Sequence, residues 1–272
     1  MFRPNRLKAR IRAGEKSFGT WLQSGSPLFA EMAAIAGLDF IIMDQEHGAG
    51  DLQAAVDFMR AAACTDTTLV VRVPSAEPVY LRRLVDAGAN ALLVPMVDTA
   101  EQARGIVEAV RFPPHGKRGN AADVTRSSSY GFVPDYYRRA DDNLLIIVQI
   151  ETEAGVDNAR AIAEVEGVDV IFIGPTDLSG SLGLPGQTGA PEVDSAIRLA
   201  MAAARDTGKP LATVPRIGRS VAELFDEGFV MLASGSEIFF YRMALQQLMK
   251  DWREYQGAQE DGPAAPSSAY GR

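Results

Sequence analysis

A rhythm of short apolar runs and helical segments, repeated eight times, constrains this chain more than any single motif. The runs at 17–23, 40–44, 68–73, 91–97, 146–150, 168–173, 210–214 and 229–233 are dominated by Val, Ile, Leu, Ala and Phe, without the polar alternation of a half-exposed sheet. Strands buried on both faces require such runs. Between them lie segments with a helical period, such as 52–62, where Leu52, Ala55, Val56 and Met59 share one face. Pro27 in the first turn of one helix and Gly88 just past the end of another punctuate the pattern. Eight strand and helix pairs in about 250 residues predict an α/β fold, a single (β/α)8 TIM barrel over 1–255. A doubly wound open sheet is the alternative, but no G-x-G-x-x-G follows any strand. The last helix, 236–252, is apolar on more than one face. That suits packing in an oligomer, with packing on its own barrel the simpler arrangement. Segment 256–272 is small, polar and proline-containing, which predicts a disordered tail.

Charge and cysteine content narrow the partners. A net charge of -8 over 272 residues makes nucleic acid and anionic membrane surfaces poor partners and favours a small molecule. Cys64 is the only cysteine, which excludes an internal disulfide and fits a reducing, cytoplasmic setting. No apolar run is long enough to span a bilayer, and the basic opening lacks the apolar core of a secretory signal.

In a parallel barrel the residues that end the strands gather at one mouth. Those residues are Gln23, Glu46 with His47, Arg72, Gln149 with Glu151, and Asp177. Glu151 and Asp177 offer two hard oxygen ligands with free positions left over, which suits a divalent cation such as Mg or Mn that also holds substrate. In the competing reading Glu151 caps a helix and Asp177 stabilises a turn. His47, in a glycine-flanked loop, suits proton transfer. Arg72 interrupts an apolar strand and should point into the mouth, to grip an oxyanion or to pair with Asp44 or Glu46. In the turn GPTDLSGSLG, Gly174 and Pro175 lead to amides around Thr176 and Asp177 that can receive a carboxylate. Such a site would chelate a 2-oxo acid and draw a proton from the carbon beside its ketone, giving an enolate. None of Lys8, Lys16, Lys117, Lys209 and Lys250 ends a strand, which disfavours Schiff-base chemistry. Ser234, Gly235 and Ser236 leave open a phosphate-binding isomerase. Segment 111–143, rich in Pro, Gly, Ser and Arg, reads as a functional loop whose Lys117, Arg118 and Arg126 form a basic cluster.

The motifs GTWLQSGSPLFAEMAAIAGLDFIIMDQEHG, LLVPMVDTAEQA, FPPHGKRG, VQIETEAGVDN and GVDVIFIGPTDLSGSLG resemble the HpcH/HpaI class II pyruvate aldolases, in the same order over residues 17–250. The resemblance implies a metal-dependent barrel that cleaves a 4-hydroxy-2-oxo acid to pyruvate or hydroxypyruvate and an aldehyde. It assigns Glu151 and Asp177 to the metal, which would be Mg, Mn or Co. It makes His47 the acid/base and Arg72 the stabiliser of the transition state, and has Asp86 raise the basicity of the histidine. Gln149 and Thr176, with the surrounding turn from Gly174 to Asp177, would contact substrate. The residues alone favour Asp44 over Asp86 as the partner of His47. A homo-oligomer, trimer or hexamer, is also implied. Oxaloacetate decarboxylase, acyl-CoA lyase and a non-catalytic 2-oxo acid binding barrel are the alternatives. Gln45, Gly48 and Thr176 depart from the common pattern, where Gly, Ala and Ala are usual.

Overall fold

The computed structural model describes residues 2–260. Its eight strands are β1 (Ser17–Leu22), β2 (Phe40–Asp44), β3 (Thr68–Arg72), β4 (Ala91–Val94), β5 (Leu145–Ile150), β6 (Val170–Ile173), β7 (Leu211–Thr213) and β8 (Met231–Ser236). They pair in chain order, all parallel, and β8 closes on β1. The helices are α1 (Arg6–Arg12), α2 (Pro27–Ile35), α3 (Leu52–Ala61), α4 (Pro78–Asp86), α5 (Ala100–Val110) and α6 (Tyr136–Asn143). The second half adds α7 (Glu153–Asp157), α8 (Ala159–Ala163), α9 (Pro175–Ser181), α10 (Pro191–Asp206), α11 (Val221–Asp226) and α12 (Glu237–Glu260). The predicted (β/α)8 barrel is what forms.

The two-residue period of a strand explains why its runs are apolar throughout. Phe40, Ile42, Leu93, Ile147 and Phe172 point into the barrel and pack on one another. Their neighbours Ile41, Met43, Leu92, Ile146 and Ile173 point outward against the helices. The interior alternates large with small residues. A Cβ on Gly19 would lie 2.4 Å from the Phe40 carbonyl oxygen and 2.6 Å from its ring, so the glycine of β1 makes room for that phenylalanine.

The sequence reading assigned no element to α1. This helix closes the N-terminal end of the barrel, where Leu7 and Ile11 join the interior cluster. Buried Lys8 beside them donates to the Leu144 carbonyl and pairs with Asp169 at 3.0 Å.

Segment 111–143 follows a helix and precedes a strand, so it also lies at the N-terminal end of the barrel. Most of it is structural. Phe112, Ala122, Tyr136 and Ala140 form a separate small core, and Arg118 lies 4.4 Å over the Phe112 ring while pairing with Asp86 at 2.7 Å.

Helix α12 starts where expected but runs on to Glu260, so the tail expected over 256–272 is helical as far as that residue, and its remainder lies outside the described residues. Its start packs on β8 and β1, but Phe240, Tyr241, Leu248 and Trp252 are each at least half exposed. No helix among the described residues is long and apolar enough to cross a membrane.

Candidate active site

At the C-terminal mouth a cavity of about 430 Å³ is lined by His47, Arg72, Gln149, Thr176 and Asp177, with Trp21 and Phe172 among its apolar walls. These two rings meet edge to face at 6.1 Å, and the Arg72 guanidinium lies 4.5 Å over the indole.

Asp44, the last residue of β2, organises the cationic side. Arg72 donates to it twice, from Nε to Oδ1 at 2.9 Å and from Nη2 to Oδ2 at 2.6 Å. Arg72 Nη1 also lies 3.0 Å from Glu46 Oε2. Both carboxylates offered as partners of Arg72 are therefore engaged, and the guanidinium still reaches the cavity. Asp44 Oδ1 also accepts the amides of Glu46 at 3.0 Å and His47 at 3.2 Å, which winds the chain back so that the imidazole faces the mouth. A Cβ at position 48 would lie 2.2 Å from the Asp44 carbonyl oxygen, so the turn is closed around a glycine. Burial pushes the Asp44 carboxyl upward, but Arg72 outweighs it and the group stays below the usual range. The His47 ring is more than half exposed, with Nε2 3.8 Å from Glu46 Oε2.

The anionic side is undercompensated. Glu151 is 2% exposed and accepts the Met96 amide at 2.8 Å and the side-chain amide of Gln149. Burial, with the nearby charges of Asp177 and Glu46, pushes its carboxyl up to about 8 against the opposing Met96 hydrogen bond. Burial likewise raises Glu46, with Asp177 adding to it and Arg72 opposing. The capping alternative for Glu151 fails, since Thr152 caps α7 by accepting from Gly155 at 2.9 Å. The Asp177 carboxylate, in the first turn of α9, makes no side-chain hydrogen bond among the described residues. Gly174 is required here, because a Cβ would lie 2.7 Å from Glu151 Oε2 and 2.8 Å from Gln149 Nε2. Gln149 Oε1 is buried without a partner.

No three His, Cys, Asp or Glu side chains converge as a closed ligand set among the described residues. Glu151 and Asp177, near enough for their charges to interact, with the unpartnered Gln149 oxygen, leave instead an open set of oxygen donors. That donor set fits a hard divalent cation that keeps positions for water or substrate.

One expected residue is not brought here. Helices run opposite to strands, so Asp86 at the end of α4 lies at the N-terminal end of the barrel, bound to Arg118. Within the chain the carboxylates that meet His47 are Glu46 and Asp44. Gln23, placed at the mouth by sequence but given no role there, and Glu237, which the sequence did not mark, support the site. Gln23 donates from Nε2 to Asp44 Oδ2 at 3.2 Å, and Glu237 accepts the amides of Gln23 and Ser24 at 2.7 and 2.6 Å. Only the position of Gln23 at a strand end gave a signal. Ser236, offered as part of an anion site, accepts the Phe239 amide at 3.1 Å.

A closed parallel barrel with acids, a guanidinium and an imidazole at its C-terminal mouth defines a (β/α)8-barrel enzyme. The chain belongs to the HpcH/HpaI aldolase/citrate lyase family, whose model matches residues 17–244, and is a carbon–carbon lyase. It is 38% identical over 245 residues to the 5-keto-4-deoxy-D-glucarate aldolase of Klebsiella pneumoniae, covering 90% of this chain and 95% of that one. It is 38% identical over 268 residues to the hydroxypyruvate/pyruvate aldolase of Cupriavidus necator, covering 98% of each. The crystal structure of an HpcH/HpaI aldolase/citrate lyase family protein from Burkholderia cenocepacia superposes with a TM-score of 0.87 at 33% identity, over 92% of this chain and 99% of that one.

Proposed function

We propose that the chain is a metal-dependent class II aldolase, reversibly cleaving a 4-hydroxy-2-oxo acid to pyruvate or hydroxypyruvate and an aldehyde. The observation that carries this reading is the uncompensated pair of Glu151 and Asp177, with the carboxyl of Glu151 raised to about 8 beside the unpartnered Gln149 oxygen. These two acids would hold Mg, Mn or Co. When bound, the cation polarises the 2-oxo group and offsets negative charge developing on its oxygen.

The chain's own groups supply the rest. Gln149 lies at the floor of the cavity to orient the substrate, and the turn from Gly174 to Asp177 receives its carboxylate. Arg72, fixed by Asp44, keeps N–H donors for the oxygen on which charge gathers. His47 takes the proton of the C4 hydroxyl, the C3–C4 bond breaks to release the aldehyde, and the electron pair left at C3 forms the enolate. That carbon then regains the proton from the imidazolium of His47, whose Nε2 lies 3.8 Å from Glu46 Oε2. The apolar residues of α12 are consistent with a homo-oligomer, a trimer or hexamer, in which this helix is covered by other subunits. The single free cysteine fits a cytoplasmic enzyme.

Deuterium exchange into the methyl group of pyruvate, followed by NMR with added Mg, Mn or Co, tests the reading. Exchange should vanish on chelation and in Asp177→Ala. Absence of exchange with every metal, for pyruvate and for hydroxypyruvate, would overturn it.

A further inference from the structure

A second cavity, of about 750 Å³, opens at the other end of the barrel. Its walls come from the residues ahead of α1, the end of α3 with the turn through Cys64, the start of β3, and the Arg126 to Tyr130 stretch of the long connection between α5 and β5. Arg3, Arg6, Arg60 and Arg126 line it against one carboxylate, Asp66. In a chain of net charge -8 this is a local inversion of sign.

The four guanidiniums are only partly engaged. Arg3 donates to the Thr65 carbonyl at 3.2 Å, Arg6 pairs with Asp66 at 2.9 Å, and Arg60 pairs with Asp57 at 2.9 Å. Arg126 donates to the Ala87 carbonyl at 3.1 Å and approaches Met59 sulfur at 3.3 Å. Each of these bonds uses Nη1 alone, so among the described residues every Nε and Nη2 remains without a partner. Arg126 meets no carboxylate: burial disfavours its charge, Tyr130 opposes that effect, and Arg60 adds to it. A half-buried guanidinium in that position gains most from an anion.

The same wall holds an aromatic group. Tyr130 is 54% exposed, and it follows Ser129 in left-handed backbone, with φ of 58° and 55°. Two successive non-glycine residues in that region are uncommon and mark stored strain. Here the Tyr130 amide donates to the Thr125 carbonyl at 2.8 Å, and the ring lines the cavity with the arginines. The N-terminal face of a barrel carries no catalytic groups, so the reaction does not account for this arrangement.

We infer that this cavity binds a nucleotide, its phosphates on Arg3, Arg6, Arg60 and Arg126 and its base on Tyr130. Guanidinium forks match phosphate oxygens in pairs, and a base stacks on an aromatic ring whatever its identity.

Isothermal titration of the full chain with ATP, and separately with tripolyphosphate, in excess chelator so that no divalent cation joins either ligand to the mouth, tests the site. One ATP per chain is expected. Arg60→Gln should weaken both ligands about tenfold. Tyr130→Leu should weaken ATP about tenfold and leave tripolyphosphate unchanged. Arg126 also holds the Ala87 carbonyl, so Arg3→Gln, at an exposed position, is the second variant if Arg126→Gln fails to fold. No heat from ATP, or ATP affinity unchanged in both Arg60→Gln and Arg3→Gln, would overturn the site. Tripolyphosphate bound as tightly as ATP, with Tyr130→Leu without effect, would overturn the nucleotide and leave an inorganic polyanion.

Discussion

The two ends of the barrel bury charge in opposite ways. At the N-terminal end, Lys8 meets Asp169 and Arg118 meets Asp86, with hydroxyl, carbonyl and aromatic partners completing each shell. At the C-terminal mouth, the charges of Glu151, Asp177 and Glu46 act on one another, and the one guanidinium there, Arg72, is committed to Asp44 and Glu46. The paired end contributes stability. The unpaired mouth lowers it, and that destabilisation is what allows it to take up a cation and a developing anion.

The contrast is sharpest if each end is damaged separately. Asp177→Ala should reduce pyruvate exchange on the order of a thousandfold without lowering the melting temperature, since the carboxylate holds nothing in the fold and its removal relieves repulsion. A clear fall in melting temperature would show that Asp177 belongs with the structural charges. Arg118→Ala should do the reverse, costing about 3 kcal/mol in urea unfolding with turnover intact under native conditions. Exchanging the two aspartates proposed beside His47 divides the ends again. Asp44→Asn should lower exchange about a hundredfold, and Asp86→Asn less than about twofold, with rates corrected for folded fraction. Equal losses would mean that Asp86 reaches the histidine of a neighbouring subunit.

The smallest expected effect is a slope. Glu151 titrates near 4.5 unfolded and at about 8 folded, so between these values the folded state binds the additional proton. Its contribution to stability is full below about 4.5 and disappears as pH rises through about 8. Thermal unfolding in chelator should therefore show a midpoint that falls across that window, with a shallower fall in Glu151→Gln. Asp44, held low by Arg72, acts with opposite sign and only below about 4, outside the window.

Much of this was legible from sequence because both determinants are local. Strands covered on two faces need unbroken apolar runs, and a polar residue closing such a run has nowhere to go but the mouth, as with Glu151 and Arg72. What escaped depends on contacts distant in sequence. Glu237 reads as the start of a helix, and nothing local shows that it holds the amides after β1. Met96 is apolar in sequence but serves Glu151 through its amide. Asp86 entered only through the family resemblance, whereas the end of a helix belongs at the bottom of a barrel, a parity that sequence order alone supplies. The same parity places segment 111–143 away from the mouth.

Helix α1 also sets an order of events. Lys8 waits for Leu144 and Asp169, and the second edge of β1 waits for β8, so these early elements complete their contacts only when nearly the whole barrel is present. Until then Leu7, Ile11 and the free edge of β1 stay open to other chains, and closing so long a loop is slow. An amino-terminal fusion that holds α1 away from the barrel would reduce the yield of folded enzyme without touching a single residue of its mouth.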